Sequence, residues 1–513
     1  MKRKKVYLLY IPSQISGDHE NLVFPNGLYY IYSNLLDNDI DTDLIMLFRD
    51  NVQDFLSIVE DNSIVGLSVN STNVVDSLKV ANDLKEFSDI NEMDISVVVG
   101  GPLITLISDE ELKKVLFVDV FFKGESEYSL VEFIKDYTKY REKPEIVSSD
   151  RIRKLDEMVI PAQKGILYSN IMTSRGCPGR CTFCCSKRLW NRRVYFRSSE
   201  SVIQEMSLLY KGGVDYFVFS DDTFTMKKKR IRKIFQHPTI QEKKFIFDFR
   251  SRADYMDEEL IKSLAVSGAV SVSLGIESAD PYVLDTLRKD IDLEKAKRAA
   301  IFCKEYGIRT NLFFIVGCEG ETDESIEKNI RFMRETRPDW ITVYGLHLFP
   351  GTELYENSGR KVDWLSTHDT LFYQERDGVL KKKLRMLEEF EEIKDGYMQE
   401  KIEIKYPNLR SMFWKYDLLA GQTEDKKEKI ELYKKSLNFY PSPEVMFKLS
   451  ELIGDMELQR KAVEKFIFQK ENDIRKDLSF LYNAAHCFRK CSLVEKYYET
   501  MDEIDFLEMN REG

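Results

Sequence analysis

The stretch Ser174-Arg175-Gly176-Cys177-Pro178-Gly179-Arg180-Cys181-Thr182-Phe183-Cys184-Cys185 is where the chemistry of this chain is concentrated. It sets thiols at Cys-x3-Cys-x2-Cys spacing, with proline and glycine to turn the backbone and an aromatic residue before the third. Thiolates crowded on one short loop point to a metal or redox site. A structural zinc wants four closed ligands; Cys185 could be the fourth, but adjacent cysteines seldom serve one tetrahedral ion well. Three thiolates suit a four-iron, four-sulfur (4Fe-4S) cluster that leaves one iron without a protein ligand, able to take a substrate or cofactor. Cys177, Cys181 and Cys184 are the candidate metal ligands.

The other cysteines are placed very differently. Of eight in 513 residues, none precedes Cys177, and beyond Cys185 only Cys303, Cys318, Cys487 and Cys491 follow. That is no disulfide scaffold, and it suits a reducing, cytoplasmic compartment. Cys487 and Cys491 share a helical pattern without companions and read as buried thiols, as does Cys303. Formal net charge is -11, which disfavours nucleic acid or an anionic membrane as a main partner. No apolar run reaches the ~20 residues of a membrane span, and Val6–Ile11 reads as a first strand, not a signal peptide.

Outward from the loop, the chain divides into about three parts, as a prior of ~150 residues per domain suggests. Residues 1–140 alternate apolar runs (Val6–Ile11, Asp43–Leu47, Ile64–Val69, Ile95–Val99, Val118–Phe122) with helical patterns. That alternation predicts a doubly wound, Rossmann-like parallel sheet. Small residues stand at its strand ends: Gly66 and Ser68, Gly100 and Gly101, then Gly124 beside Glu125. Ligands of open α/β sheets bind there, and glycine lets them approach the backbone; tight strand–helix turns are the plain alternative. Residues 141–165 lack periodicity and read as a linker. Residues 166–370 carry six further strand–helix units, the pattern of a partial (β/α)6 barrel with chemistry at the strand C-termini. Residues 371–513 read as an all-α, repeat-like region that could dock a peptide or protein or cover the barrel mouth.

The loop and barrel together resemble the radical S-adenosylmethionine (radical SAM) enzymes, whose hallmark is Cys-x3-Cys-x2-Cys with an aromatic residue, here Phe183, before the last cysteine. Further segments resemble the family in order. Phe219-Ser220-Asp221-Asp222-Thr223-Phe224 is similar to the segment after the second barrel strand that contacts the methionyl amino group. Phe249-Arg250-Ser251-Arg252-Ala253-Asp254 is similar to the arginine-bearing third strand, and Leu274-Gly275-Ile276-Glu277-Ser278 to the fourth-strand segment that helps hold SAM. Phe314-Ile315-Val316-Gly317-Cys318-Glu319-Gly320-Glu321-Thr322 resembles the fifth-strand Gly-x-Pro-Gly-Glu-Thr pattern, with Cys318-Glu319 departing from its middle. The resemblance implies a 4Fe-4S cluster, reductive cleavage of SAM to a 5′-deoxyadenosyl radical, and a flavodoxin- or ferredoxin-type reductant. Carboxylates at Asp221 or Asp222 suit the SAM ammonium, Arg252 its carboxylate, and Glu277 the ribose hydroxyls. Thr223, Gly275, Ser278 and Gly317 complete the cofactor-binding set, and Cys318 is a candidate hydrogen-atom donor beside a plain packing role.

A doubly wound domain ahead of such a barrel resembles the cobalamin-binding class of this family. Pro25-Asn26-Gly27-Leu28, Val65-Gly66-Leu67-Ser68, Val99-Gly100-Gly101-Pro102 and Lys123-Gly124-Glu125-Ser126-Glu127 carry that likeness. None of the five histidines has Asp two positions before it, so the Asp-x-His-x-x-Gly motif that supplies a lower cobalt ligand is missing. Bound cobalamin would lack that ligand, or the domain is degenerate and binds none. The absence of cysteines before Cys177 excludes the extra cluster of methylthiotransferases. The resemblance thus implies cobalamin-dependent methylation of an unactivated carbon in a small molecule or peptide. Its rivals are a cyclase, rearrangement catalyst or epimerase without methyl transfer, and a non-catalytic scaffold that recruits a partner.

Overall fold

A computed structural model describes residues 4–12, 24–48, 51–136, 145–365, 372–398 and 403–472, and most of 474–504. The N-terminal part forms a six-stranded, wholly parallel sheet. Its strands are β1 (Lys5–Tyr10), β2 (Thr42–Met46), β3 (Ser63–Ser68), β4 (Ile95–Gly100), β5 (Val120–Lys123) and β6 (Glu145–Ser148), in the order β2-β1-β3-β4-β5-β6. Period-two alternation sorts the side chains. Val6, Leu8, Ile64 and Val98 face the helices Asn26–Asp37 and Ser129–Lys135, while Tyr7, Leu9, Val65 and Val97 face Val52–Ile58 and Val74–Ile90. Strand order reverses between β1 and β3, and such a reversal opens a crevice at the strand C-termini. The sixth strand lies within residues 141–165, which the sequence reads as a linker. It is a half-exposed edge strand with only Ile146 and Val147 as apolar residues, too weak a pattern to stand out.

The second parallel sheet contains β7 (Asn170–Ile171), β10 (Tyr216–Phe219), β11 (Ile246–Ser251), β12 (Ala269–Glu277), β13 (Arg309–Val316) and β14 (Trp340–Gly345), in the order β14-β13-β12-β11-β10-β7. Between β7 and β10 a short antiparallel pair, β8 (Ser174–Arg175) and β9 (Tyr195–Phe196), closes the base of the cysteine loop. Intervening helices start where Ser198, Asp257, Asp292 and Thr322 accept hydrogen bonds from the amides of Ser201, Leu260, Lys295 and Ser325, each satisfying an orphan donor. Phe217, Phe219, Phe247 and Phe249 point outward, and with Phe224 and Phe235 form an aromatic layer beneath the helices. The lumen is left to Tyr216, Val218, Asp248, Arg250, Ser271 and Ser273.

While the helix Arg376–Met398 starts beside the strand C-termini, where Val379 lies against Gly317 and Gly345, the helices from Arg410 on pack against the barrel's N-terminal end, away from the mouth. Arg410 donates to the carbonyls of Phe245 and Ser267, both at 3.3 Å, and Trp414 Nε1 to Gly307 O at 2.9 Å. Asp215, just before β10, accepts from Tyr440, Lys465 and Gln469. The idea of a lid over the mouth is therefore corrected: these helices form the barrel floor. Ile474 and Arg475 reach its lumen. Among the described residues no helix is long and apolar enough to cross a membrane.

Candidate functional site

The cysteine loop is built to be held open rather than collapsed. Gly176 has φ +98°, and a Cβ there would meet the Arg193 carbonyl and, at 3.1 Å, the Trp190 side chain. Gly179 lies beside two of the candidate ligands. Its N–H donates to Cys177 Sγ at 3.4 Å, and an added Cβ would stand 3.3 Å from that sulfur and 3.8 Å from Cys181 Sγ. Thr182 ties the loop down on both sides: its N–H donates to Leu287 O, and its carbonyl accepts from Leu354 N–H, both at 3.0 Å. Phe183 packs on Val283, Leu287, Ile315 and Leu346.

All three candidate ligands are unpaired by disulfides and half-buried. Burial pushes the Cys184 and Cys185 thiols up to about 12; it also raises Cys181, where nearby Lys289 opposes it. Among the described residues no group of three or more His, Cys, Asp or Glu side chains is arranged for a single metal ion. A cluster is a larger body whose ligands stand around it. Three free thiols on a glycine-opened loop fit such a group by donor chemistry.

Asp221 and Asp222 prove to be unlike each other. The Asp221 carboxylate is buried and faces back into the protein. It accepts from the Thr173 amide at 2.7 Å, the Thr173 hydroxyl, and Ser174 Oγ at 2.6 Å. That corrects its candidacy for the SAM ammonium: it braces the entry to the loop. Asp222 lines the large cavity described below, accepts from Ser186 Oγ at 2.9 Å, and is surrounded by protein whose burial raises its carboxyl. Thr223 is buried, with its hydroxyl 3.8 Å from Cys177 Sγ.

Arg252 is committed to local partners. Its guanidinium bonds both Asp254 oxygens and the Lys289 and Asp290 carbonyls, so its fork reaches a carboxylate within the chain. Beyond it, Glu277 and Lys289 form a buried ion pair at 2.7 Å, with Glu277 in the left-handed region at φ +65°. Gly275 leaves the room: an added Cβ would lie 2.7 Å from Glu277 Oε1 and 2.9 Å from Lys289 Nζ. Burial pulls the Lys289 ammonium down, but the Glu277 carboxylate more than offsets this and holds it above its ordinary value. The sequence reading missed Lys289. Its only local signal is the turn around it, where Arg288 and Asp290 both have positive φ, and a sequence does not print dihedrals.

Three further candidates have structural places. Ser278 is buried against Asn329 and accepts from the Asp280 amide. Gly317, at φ +81°, gives way to Val379, whose Cγ2 would lie 2.6 Å from an added Cβ. Cys318 is 0% exposed and its thiol donates to Ile315 O at 3.7 Å, absent from the cavity wall. Its candidacy as a hydrogen-atom donor is corrected to packing.

The main cavity has a volume of about 770 Å³, near the upper end of the ~300–1,000 Å³ typical of ligand sites. It runs from the C-terminal edge of the first sheet, past the cysteine loop, into the barrel lumen. Gly66, Ser68, Gly100, Gly101, Gly124 and Glu125 all line it, joined by Asn26 and Gly27, while Gly176, Trp190 and Asp222 line its middle. Gly101 is at φ +117°, where an added Cβ would meet the Val69 carbonyl and, at 2.7 Å, its amide nitrogen. Glu125 is less free than its position suggests. It and Glu127 grip the buried Arg175, which joins the first domain to the loop. No histidine or cysteine lines this cavity among the described residues; His19 lies outside them.

Residues 171–333 match the family model described as the Radical SAM superfamily. An uncharacterized methyltransferase of Pyrococcus horikoshii is 29% identical over 361 residues, spanning 65% of this chain and 78% of that one. The anaerobic magnesium-protoporphyrin IX monomethyl ester cyclase of Rubrivivax gelatinosus is 26% identical over 319 residues, 56% of this chain and 57% of its own. Among solved structures, the cobalamin-dependent S-adenosylmethionine radical enzyme OxsB, with aqua-cobalamin bound, superposes with a TM-score of 0.60. That likeness covers 99% of this chain and 84% of OxsB at 16% identity, and it speaks for the fold.

Proposed function

This chain belongs to the radical SAM superfamily, and on that premise we propose that it is a cobalamin-dependent methyltransferase acting on an unactivated carbon. One observation carries the reading: a single cavity connects the glycine-lined edge of the first sheet to the cysteine loop and the barrel lumen. Cobalamin, SAM and substrate would need such a shared space. With a 4Fe-4S cluster, SAM and cobalamin in place, the chemistry supplied is one-electron cleavage of SAM to a 5′-deoxyadenosyl radical, hydrogen abstraction and methyl transfer to the substrate carbon.

The chain's own residues position and enclose. Cys177, Cys181 and Cys184 are the proposed cluster ligands. Asp222, the carboxylate that faces the cavity, suits the SAM ammonium better than Asp221 does. Lys289, a buried cation near Cys181 whose position Glu277 sets, would suit the SAM carboxylate. Gly66, Gly100 and Gly101 allow a broad, flat ligand to approach the sheet edge. Among the described residues no histidine lines the cavity, and these residues would hold cobalamin without an imidazole of their own. Tyr216, Asp248, Arg250, Ser271 and Ser273 give the lumen a hydrogen-bonding wall, suited to a polar small molecule or peptide side chain.

Anaerobic reconstitution followed by incubation with SAM and dithionite tests the core of this proposal. The protein should form 5′-deoxyadenosine, and Cys181→Ala should form none; a Cys181→Ala rate equal to the unaltered rate would refute the cluster assignment. The cyclase relative keeps a second reading open, in which no methyl group is transferred. Product mass separates the two: a gain of one methylene supports transfer, and a product without that gain supports the second reading.

A further inference from the structure

One guanidinium bridges the first domain and the cysteine loop along the wall of the main cavity. Arg175 is the second residue of β8, two positions before Cys177, and it is buried. Its Nη1 donates to Glu125 and its Nη2 to Glu127 Oε1 at 2.5 Å, both on the turn that follows β5. Its Nε donates elsewhere, to Met172 Sδ at 2.9 Å, and its Cζ lies 5.8 Å from the centre of the Tyr30 ring. A planar fork held in three directions keeps no rotation, which a lysine ammonium in its place would retain. Both ends of the bridge are themselves fixed. On the first side, Gly124 N–H donates to Thr105 Oγ1 at 3.0 Å and Ile152 N–H to Glu125 Oε2 at 2.8 Å. On the loop side, Arg175 pairs with Tyr195 of β9, and Gly176 lies against the Arg193 carbonyl and the Trp190 side chain. Gly124, Glu125, Glu127, Arg175 and Gly176 all line the cavity.

We infer that Arg175 is a positioning residue: it fixes the separation and angle between a corrinoid on the first sheet's edge and the cluster on the loop. The inference rests on the proposed function, to which both groups belong. Methyl transfer needs the substrate carbon within reach of both, and a misplacement of about 1 Å can cost on the order of 10²-fold. The bridge also holds more charge than adhesion of two domains requires. Two carboxylates share one guanidinium, and all three side chains are buried. A well-packed apolar contact would join the domains as firmly, whereas a bonded fork sets direction as well as contact.

The test uses the full chain, reconstituted anaerobically with iron, sulfide and cobalamin. Redox poising brings cob(II)alamin and the one-electron-reduced cluster together, and electron paramagnetic resonance reads the coupling of their two spins, which depends on separation and angle. The unaltered protein should give one narrow coupling. Arg175→Met and Arg175→Lys, compared at equal bound cobalt and iron, should broaden it at least about twofold, since neither side chain holds two carboxylates in a fixed fork. Lys164→Ala removes a different ion pair, to Asp37, whose members do not line the cavity, and should leave the coupling unchanged. Where an Arg175 variant fails to load both groups, Glu127→Gln, of nearly equal size, is judged by the same width. A width equal to that of the unaltered protein in the loaded variants would overturn the inference, as would equal broadening in Lys164→Ala. An unaltered protein that holds a cluster but no cobalamin would instead strike the function proposed above, and this inference with it.

Discussion

Asp221 and Asp222 are adjacent in sequence and opposite in orientation, since successive residues of extended backbone point to opposite sides. Ser220 and Asp222 line the cavity, while Asp221 turns inward to three donors of Thr173 and Ser174. Asp221→Ala leaves those donors unpaired and should cost on the order of 2–5 kcal/mol in chemical unfolding. Asp222→Ala should unfold as the unaltered protein does, yet lose at least about tenfold in SAM cleavage. Equal behaviour of the two variants would contradict this division. The motif located the pair, but which carboxylate faces the cavity depends on register, and register is fixed by pairing with β7 and β11. His347 gives a second residue-level test. Burial, then Lys383, lowers its imidazole to about 4. Between the unfolded value near 6.5 and about 4, the unfolded chain binds a proton that the folded chain does not. Stability is thus fully present above pH 6.5 and lost as pH falls toward 4, by about 3 kcal/mol. His347→Gln should flatten that part of a denaturation series taken from pH 7 to 4; an unchanged slope would refute the shift.

At the level of elements, the strand ends do most to shape the site. The first five strands were legible because each lies in a short apolar run between turn residues, as in Ser-Ile-Val-Gly-Leu-Ser for β3, whereas β6 offers only Ile146 and Val147. The six strand-end candidates of the first domain all reach one cavity because parallel strands present their C-termini on the same side. Glu125 was legible as a strand-end residue but not as the partner of Arg175, since that contact spans fifty positions. Gly101→Ala should be the most damaging single methyl at this edge. It forces a side chain into positive φ against the Val69 backbone, at a cost of about 1–3 kcal/mol or more. Thermal unfolding of that variant at the wild-type midpoint would refute the close approach.

For the whole molecule, the lasting correction concerns the C-terminal helices. Their amphipathic segments were readable, but not the surface they cover, because the contacts link positions such as Asp215 and Lys465 that no local pattern relates. Asp215→Ala strands Lys465, Tyr440 and Gln469 at the barrel floor. It should cost roughly 3–5 kcal/mol, as breaking one side of a buried ion pair does. An independently folded tail would show no such loss in denaturant unfolding. The floor, the lumen, the loop and the first sheet together bound one cavity, and the account as a whole stands on what fills its upper end. Visible absorption of the protein, purified without oxygen from cells supplied with cobalamin, measures that directly. The account predicts a corrinoid spectrum near one equivalent per chain, greatly reduced in Gly101→Ala. A protein with an intact cluster and no corrinoid, even after reconstitution with cobalamin, would contradict it.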